Sequence, residues 1–198
     1  HESRNQLRKA VDEYRQALEL NPAAVEIYRS LVPLTMQLDQ PDEAIKLALK
    51  GVELDPQDYE LCFRVGLEFA RQRDFATGIK FLKQAAGSTR LKKESPISVA
   101  LQVELGNLYQ ATKQPKEAAD CYVIVFDAIK NPEKYELDFR ARNGLLADAR
   151  TNYERIGQVM LDAGRLELAS EAFELAAKTN RASVGNLTYH RAKILLLS

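Results

Sequence analysis

Residues 17–22 read ALELNP and residues 51–56 read GVELDP, the same helix-closing phrase set 34 residues apart. A period of this length, with small and large apolar residues at fixed offsets, commits a chain to stacked helical hairpins, because each hairpin buries its apolar face only against a neighbour. Counting positions 1 to 34 from Val25 gives repeats at 25–58 and 59–92, and the same template re-enters at 99–132 and 150–183. Position 8 is then Val32, Gly66, Gly106 and Gly157. Position 20 is Ala44, Gly78, Ala118 and Ala169, with Ala10 fitting from a leading helix, and position 27 is Ala17, Gly51, Ala85, Val125 and Ala176. A glycine inside a helix costs about 1 kcal/mol relative to alanine, so its return at one offset marks a place where two backbones must approach.

Large apolar residues interleave with these small ones. They are Leu31, Val65, Leu105 and Ile156 at position 7; Thr35, Phe69, Tyr109 and Met160 at position 11; and Tyr14, Ala48, Leu82, Tyr122 and Phe173 at position 24. Spacings of three, four and seven place them on one stripe of each helix, which predicts the core.

On these residues the chain resembles the tetratricopeptide repeat family. The family pattern is matched by L-G-x-x-Y at Leu105 to Tyr109, by Ala10, Tyr14, Ala17 and Pro22, and by Ala169, Phe173 and Ala176. Position 4 departs from it, being Tyr28, Cys62, Gln102 and Tyr153 rather than Trp, and position 32 is Pro only at Pro22 and Pro56. The resemblance implies an all-α fold, a right-handed superhelical array of antiparallel helical hairpins. About four full repeats and a half repeat at each end would form a single repeat domain over 1–198, with a leading helix at 3–20 and a trailing helix at 184–198.

The beat breaks twice. GSTRLKKESP, between repeats two and three, collects Gly, Ser, Thr and Pro and reads as a lengthened turn. An inserted segment at 133–149 falls within the stretch that opens NPEKYELDFRARNGLLAD at Asn131, in which Asp138 can cap a short helix through Leu146 and Asp148 the next one; a single long helix from about Phe139 is the competing reading. The first helix lacks a partner before it, the helix from Val184 lacks one after it, and the chain begins at His1, all of which fit a piece of a longer or processed protein.

Function classes narrow by composition. The 28 basic and 28 acidic residues give no net charge, which argues against nucleic acid and anionic membranes as partners. No apolar run approaches the ~20 residues that span a bilayer, so a soluble protein is expected, with the cytoplasm favoured. The residue set for catalysis is thin: two histidines, no phosphate loop, and Cys62 and Cys121 at offsets used for packing, which predicts buried inert thiols. No enzyme, cofactor or metal site is expected.

What remains is a surface. The resemblance implies that positions 2, 5, 6, 9, 12 and 13 line a concave groove able to hold a peptide or a partner's helix. The candidate residues are Arg29 and Met36 in repeat one; Glu60, Phe63, Arg64, Leu67 and Arg71 in repeat two; Val103, Asn107 and Gln110 in repeat three; and Arg155 and Gln158 in repeat four. Phe63, Leu67 and Val103 would form an apolar floor, and Arg29, Arg64, Arg71 and Arg155 would offer guanidinium forks to a carboxylate, unless they only pair with Glu26, Glu60, Glu68 or Glu104. Residues 57–98 hold eight basic and five acidic side chains, so an acidic ligand group belongs near repeat two. The clamp by which some tetratricopeptide proteins hold acidic chaperone tails is absent, since neither register supplies its Lys and Asn set. The expected role is a protein-interaction scaffold without catalysis. The alternative is a self-assembling or spacer module, for which the apolar Ile194 to Leu197 suggests homo-oligomers through the C-terminal helix.

Overall fold

The structure is a computed structural model that describes residues 2–148, 150–179 and 183–197. Among the described residues every regular element is helical. The helices are α1 (Glu2–Leu20), α2 (Val25–Gln37), α3 (Pro41–Leu54), α4 (Tyr59–Arg71), α5 (Phe75–Ala86), α6 (Pro96–Ala111), α7 (Pro115–Lys130), α8 (Phe139–Ala147), α9 (Tyr153–Asp162), α10 (Leu166–Thr179) and α11 (Ser183–Leu197), with a short 3-10 turn at Pro132–Tyr135. The chain divides into two compact units, residues 1–91 and 92–198.

In the first unit α2 pairs with α3 and α4 with α5, while α1 leans on α2 and α3 packs against α4. In the second, α6 pairs with α7 and α9 with α10, α7 also meets α9, and α11 rests on α10. These are the four hairpins marked by the repeat. Each A-to-B turn is built identically. The residue at position 15 (Asp39, Arg73, Lys113, Gly164) has a positive φ of 58 to 74°. The amide that follows it reaches back to the carbonyl of Thr35, Phe69, Tyr109 or Met160 over 2.8 to 3.1 Å. That bond, with one from position 15 to position 12, satisfies carbonyls left open at the end of each helix A.

Helix starts follow local chemistry. Asp58, Asp74, Ser95, Asp138 and Asn152 accept amide hydrogen bonds as N-caps of α4, α5, α6, α8 and α9, and Pro41, Pro96 and Pro115 occupy first-turn positions that have no use for an amide proton. Asn152, not Asp148, caps α9; Asp148 closes α8, its amide bonded to the Gly144 carbonyl. A separate α8 therefore stands where the sequence left two readings open. The two prolines of the opening phrase also gain a purpose: the position 4 side chain reaches back to their carbonyls, Tyr28 Oη donating to Pro22 at 2.8 Å and Cys62 Sγ to Pro56 at 3.9 Å.

The core rests on a trade between positions 8 and 24 of each hairpin. A Cβ placed on Gly66, Gly106 or Gly157 would sit 2.6 to 2.7 Å from Leu82, Tyr122 or Phe173, respectively. In the first hairpin the sizes reverse, with Val32 at position 8 and Ala48 at position 24, both buried and both lining one hollow. Tyr14, expected in the core at position 24, is instead 37% exposed, because α1 has no helix A paired with it among the described residues. The inserted segment is bound to its own hairpin: Tyr135 and Leu137 bury against Val99 and Ala128, while Asp127 accepts from Asn131 Nδ2, Lys134 Nζ and Tyr135 Oη at 2.7 to 2.8 Å.

Candidate functional site

Four of the twelve candidate side chains converge on one cavity in the first unit. Met36, Arg64, Leu67 and Arg71 line an open hollow of about 170 Å³ between α2, α3 and α4, together with Val32, Ile45, Val65 and Glu68. Its floor is apolar because α3 presents only Ala44, Ile45 and Ala48 there, small enough at two positions to let α2 and α4 approach. Residues 64, 67, 68 and 71 share one face of α4 by helical spacing, so every charged side chain lining the hollow comes from that one helix.

The charges on that edge are unequal. Glu68 is 8% exposed, and its Oε2 accepts from Arg71 Nη1 at 2.9 Å, so the buried carboxylate is neutralised in place. Arg64 is exposed, and among the described residues no ion pair or hydrogen bond engages its guanidinium. It is the cation left over at the mouth of an apolar hollow.

The other candidates have different duties. Arg29 Nε donates to Asp58 Oδ2 at 2.5 Å, and this bond holds its pKa above the ordinary arginine value. Asp58 is 3% exposed and its other oxygen caps α4, so Arg29 braces a helix start. Its partner is Asp58, which was not among the four glutamates expected to pair with the groove arginines. Glu60 is exposed and Phe63 half-buried, and neither lines the hollow. Val103, expected on an apolar floor, is 5% exposed and has almost no surface to offer. Asn107 is half-buried; its Oδ1 accepts from Tyr122 Oη at 2.7 Å, and its Nδ2 is buried without a partner among the described residues.

The last three candidates lie in the second unit. Gln110 and Arg155 line another open hollow, of about 350 Å³, with Gln114, Ala118, Val159 and Asp162. Arg155 Nη2 donates to Gln110 Oε1 at 2.8 Å, and Gln158 Nε2, just outside the hollow, donates to Asp162 Oδ1 at 2.5 Å. Sequence reasoning passed over Ile45 and Asp162, and named Glu68 only as an arginine's partner, which it is for Arg71. Glu68 was within reach of the 64, 67, 71 spacing, whereas the helix B contribution needed the hairpin packing.

Elsewhere the chemistry is quiet. Cys62 and Cys121 are buried free thiols, and burial pushes them up to about 11 and about 12. Among the described residues no cluster of three or more His, Cys, Asp or Glu side chains could hold a metal ion, and no helix is long and apolar enough to cross a membrane.

No protein-family model matches the sequence. Over 98 residues, 46% of its length, the chain is 31% identical to the SGT1 homologue of Oryza sativa subsp. japonica, and that match spans 27% of the rice protein. Among solved structures, the fold is similar to MamA, at 20% identity and TM-score 0.63, with 89% of this chain and 84% of that one covered. It is also similar to YrrB, described as a tetratricopeptide-repeat protein with an unusual peptide-binding site, at 16% identity and TM-score 0.64, covering 93% of this chain and 88% of that one. These likenesses establish the fold.

Proposed function

We propose that this chain, which has the tetratricopeptide-repeat fold, is a non-catalytic scaffold that binds a segment of a partner protein along the face carrying Met36, Arg64 and Leu67. The observation that carries the reading is the pairing of an apolar hollow with an arginine that has no partner among the described residues. A recognition surface needs both, since burying apolar side chains supplies affinity and a directed charge supplies orientation. The likeness to YrrB, described as having a peptide-binding site, supports the same reading. The ligand group at the hollow's mouth is acidic, in keeping with the surplus of positive charge over residues 57–98. The reading takes residues 1–198 as one repeat domain.

The test is co-purification from the source cell with wild type and with an Arg64→Ala, Leu67→Ala double variant. Both side chains reach the surface, so the fold should persist, which circular dichroism checks. Proteins held by wild type should be lost from the variant; recovery of the same set would sink the assignment.

A second reading is self-assembly through α11, where Leu195, Leu196 and Leu197 are 77, 86 and 58% exposed. Light scattering decides it, and a strict monomer at high concentration removes it.

A further inference from the structure

The two hollows are the same site at two places in the repeat. The first is lined by Met36 and Ala44, positions 12 and 20 of one repeat, and by Arg64, Glu68 and Arg71, positions 6, 10 and 13 of the next. The second is lined by Gln110 and Ala118, again positions 12 and 20, and by Arg155, Val159 and Asp162, again positions 6, 10 and 13. Alanine at 20 and arginine at 6 are shared. Position 12 differs, and the difference acts on the shared arginine. Gln110 offers a carboxamide oxygen that holds Arg155 at 2.8 Å. Met36 has only a thioether sulfur, a weak acceptor, and Arg64 stays without a partner among the described residues.

Resting on the scaffold reading above, we infer that position 12 sets the specificity of each hollow by deciding whether the position 6 arginine is available. The first unit then reads a segment in which an aliphatic side chain adjoins an Asp or Glu, and the second unit's arginine is withheld from such a ligand. The aliphatic group fills the space among Met36, Ile45 and Leu67, and the carboxylate meets Arg64. Arg71 is the weaker partner, because its Nη1 already donates to the Glu68 carboxylate, which offsets its charge. A guanidinium at the edge of an apolar hollow gains from a charge-assisted bond that competes with less water than one on an open surface.

Two matched series of acetylated hexapeptides test this by fluorescence anisotropy on the full chain: Leu flanked by Asp or Glu, and the same peptides with Asn or Gln. Wild type should favour the acidic series on the order of tenfold or more. Arg64→Gln should bring the ratio close to one, and Arg155→Gln should leave it intact. Met36→Gln should also lower the ratio, since a carboxamide at position 12 would hold Arg64 as Gln110 holds Arg155, whereas Met36→Leu should preserve it. A wild-type ratio near one, or a ratio that survives Arg64→Gln or Met36→Gln, overturns the inference. If both series bind equally and Leu67→Ala removes both, the carboxylate is wrong and the scaffold surface stands; if binding ignores Arg64 and Leu67 alike, both fall.

Discussion

Gly106→Ala isolates the packing rule on which the hairpins depend, because two opposing effects act on the same methyl group. Within α6 the added methyl favours the helix by about 1 kcal/mol, since alanine loses less backbone freedom on folding. Against this, the new Cβ would lie 2.6 and 2.8 Å from Tyr122 Cε2 and Cδ2, where carbon atoms normally rest 3.5 to 4.0 Å apart. The ring cannot retreat freely. It is fully buried, and its hydroxyl lies 2.7 Å from Asn107 Oδ1 and 3.1 Å from the Arg150 carbonyl. Overpacking of this kind costs about 1–3 kcal/mol, and loosening the hydroxyl contacts about 1 more. The net should be a loss of about 1–3 kcal/mol, or about 2–12 °C in Tm for a chain of this size. Urea unfolding followed by circular dichroism measures it. Gly144→Ala, where nothing lies within 4 Å, should instead stabilise by about 0.5–1 kcal/mol. A Tyr122→Ala background sharpens the test, since with the ring gone the Gly106→Ala step should itself become stabilising. A cost of equal size with and without the ring would refute the argument, as would a Gly106→Ala protein more stable than wild type.

Two further outcomes follow from local geometry. Arg73→Gly and Lys113→Gly should each stabilise by about 0.5–1 kcal/mol by relieving a left-handed backbone at φ 64 and 58°, and Gly164→Ala should destabilise by a similar amount, all read from urea midpoints. Asp127→Asn should destabilise the hairpin that carries the insertion by about 1–3 kcal/mol, because the buried Tyr135 hydroxyl loses a strong acceptor. The bonds from Lys134, Tyr135 and Asn131 hold the Asp127 carboxyl below its ordinary value. Its contribution is thus complete above the ordinary carboxylate range near pH 4 and is lost as pH falls through the lowered folded value. Tm curves of variant and wild type should therefore converge below pH 4, and a constant gap would count against the network.

The hairpins were legible because their markers are steric. A glycine that returns at position 8 weakens its helix each time unless a neighbour needs the space, and each of the three proved to face a bulky position 24 side chain. The candidate surface was legible where one helix supplies it, as with Arg64, Leu67 and Arg71, and not where partners come from distant sequence. Arg29 and Asp58 are 29 residues apart, so the ion pair and the helix cap it supports cannot be read from neighbours. Val103 was misplaced because family register fixes a direction along a helix and says nothing of what covers it. Asp148 reads in sequence as the cap of the next helix, and the path of the chain gives that place to Asn152, four residues on.

The trade between positions 8 and 24 has a consequence for how such a chain can change over generations. Both members of each pair lie in one hairpin, sixteen residues apart: Val32 with Ala48, Gly66 with Leu82, Gly106 with Tyr122, Gly157 with Phe173. A duplication or deletion that moves a whole hairpin carries lock and key together. Growth by whole units is therefore sterically cheap for this architecture, whereas crossing over between the first hairpin and any of the other three would unite Val32 with leucine or an aromatic ring, or glycine with Ala48, and leave either a clash or a void.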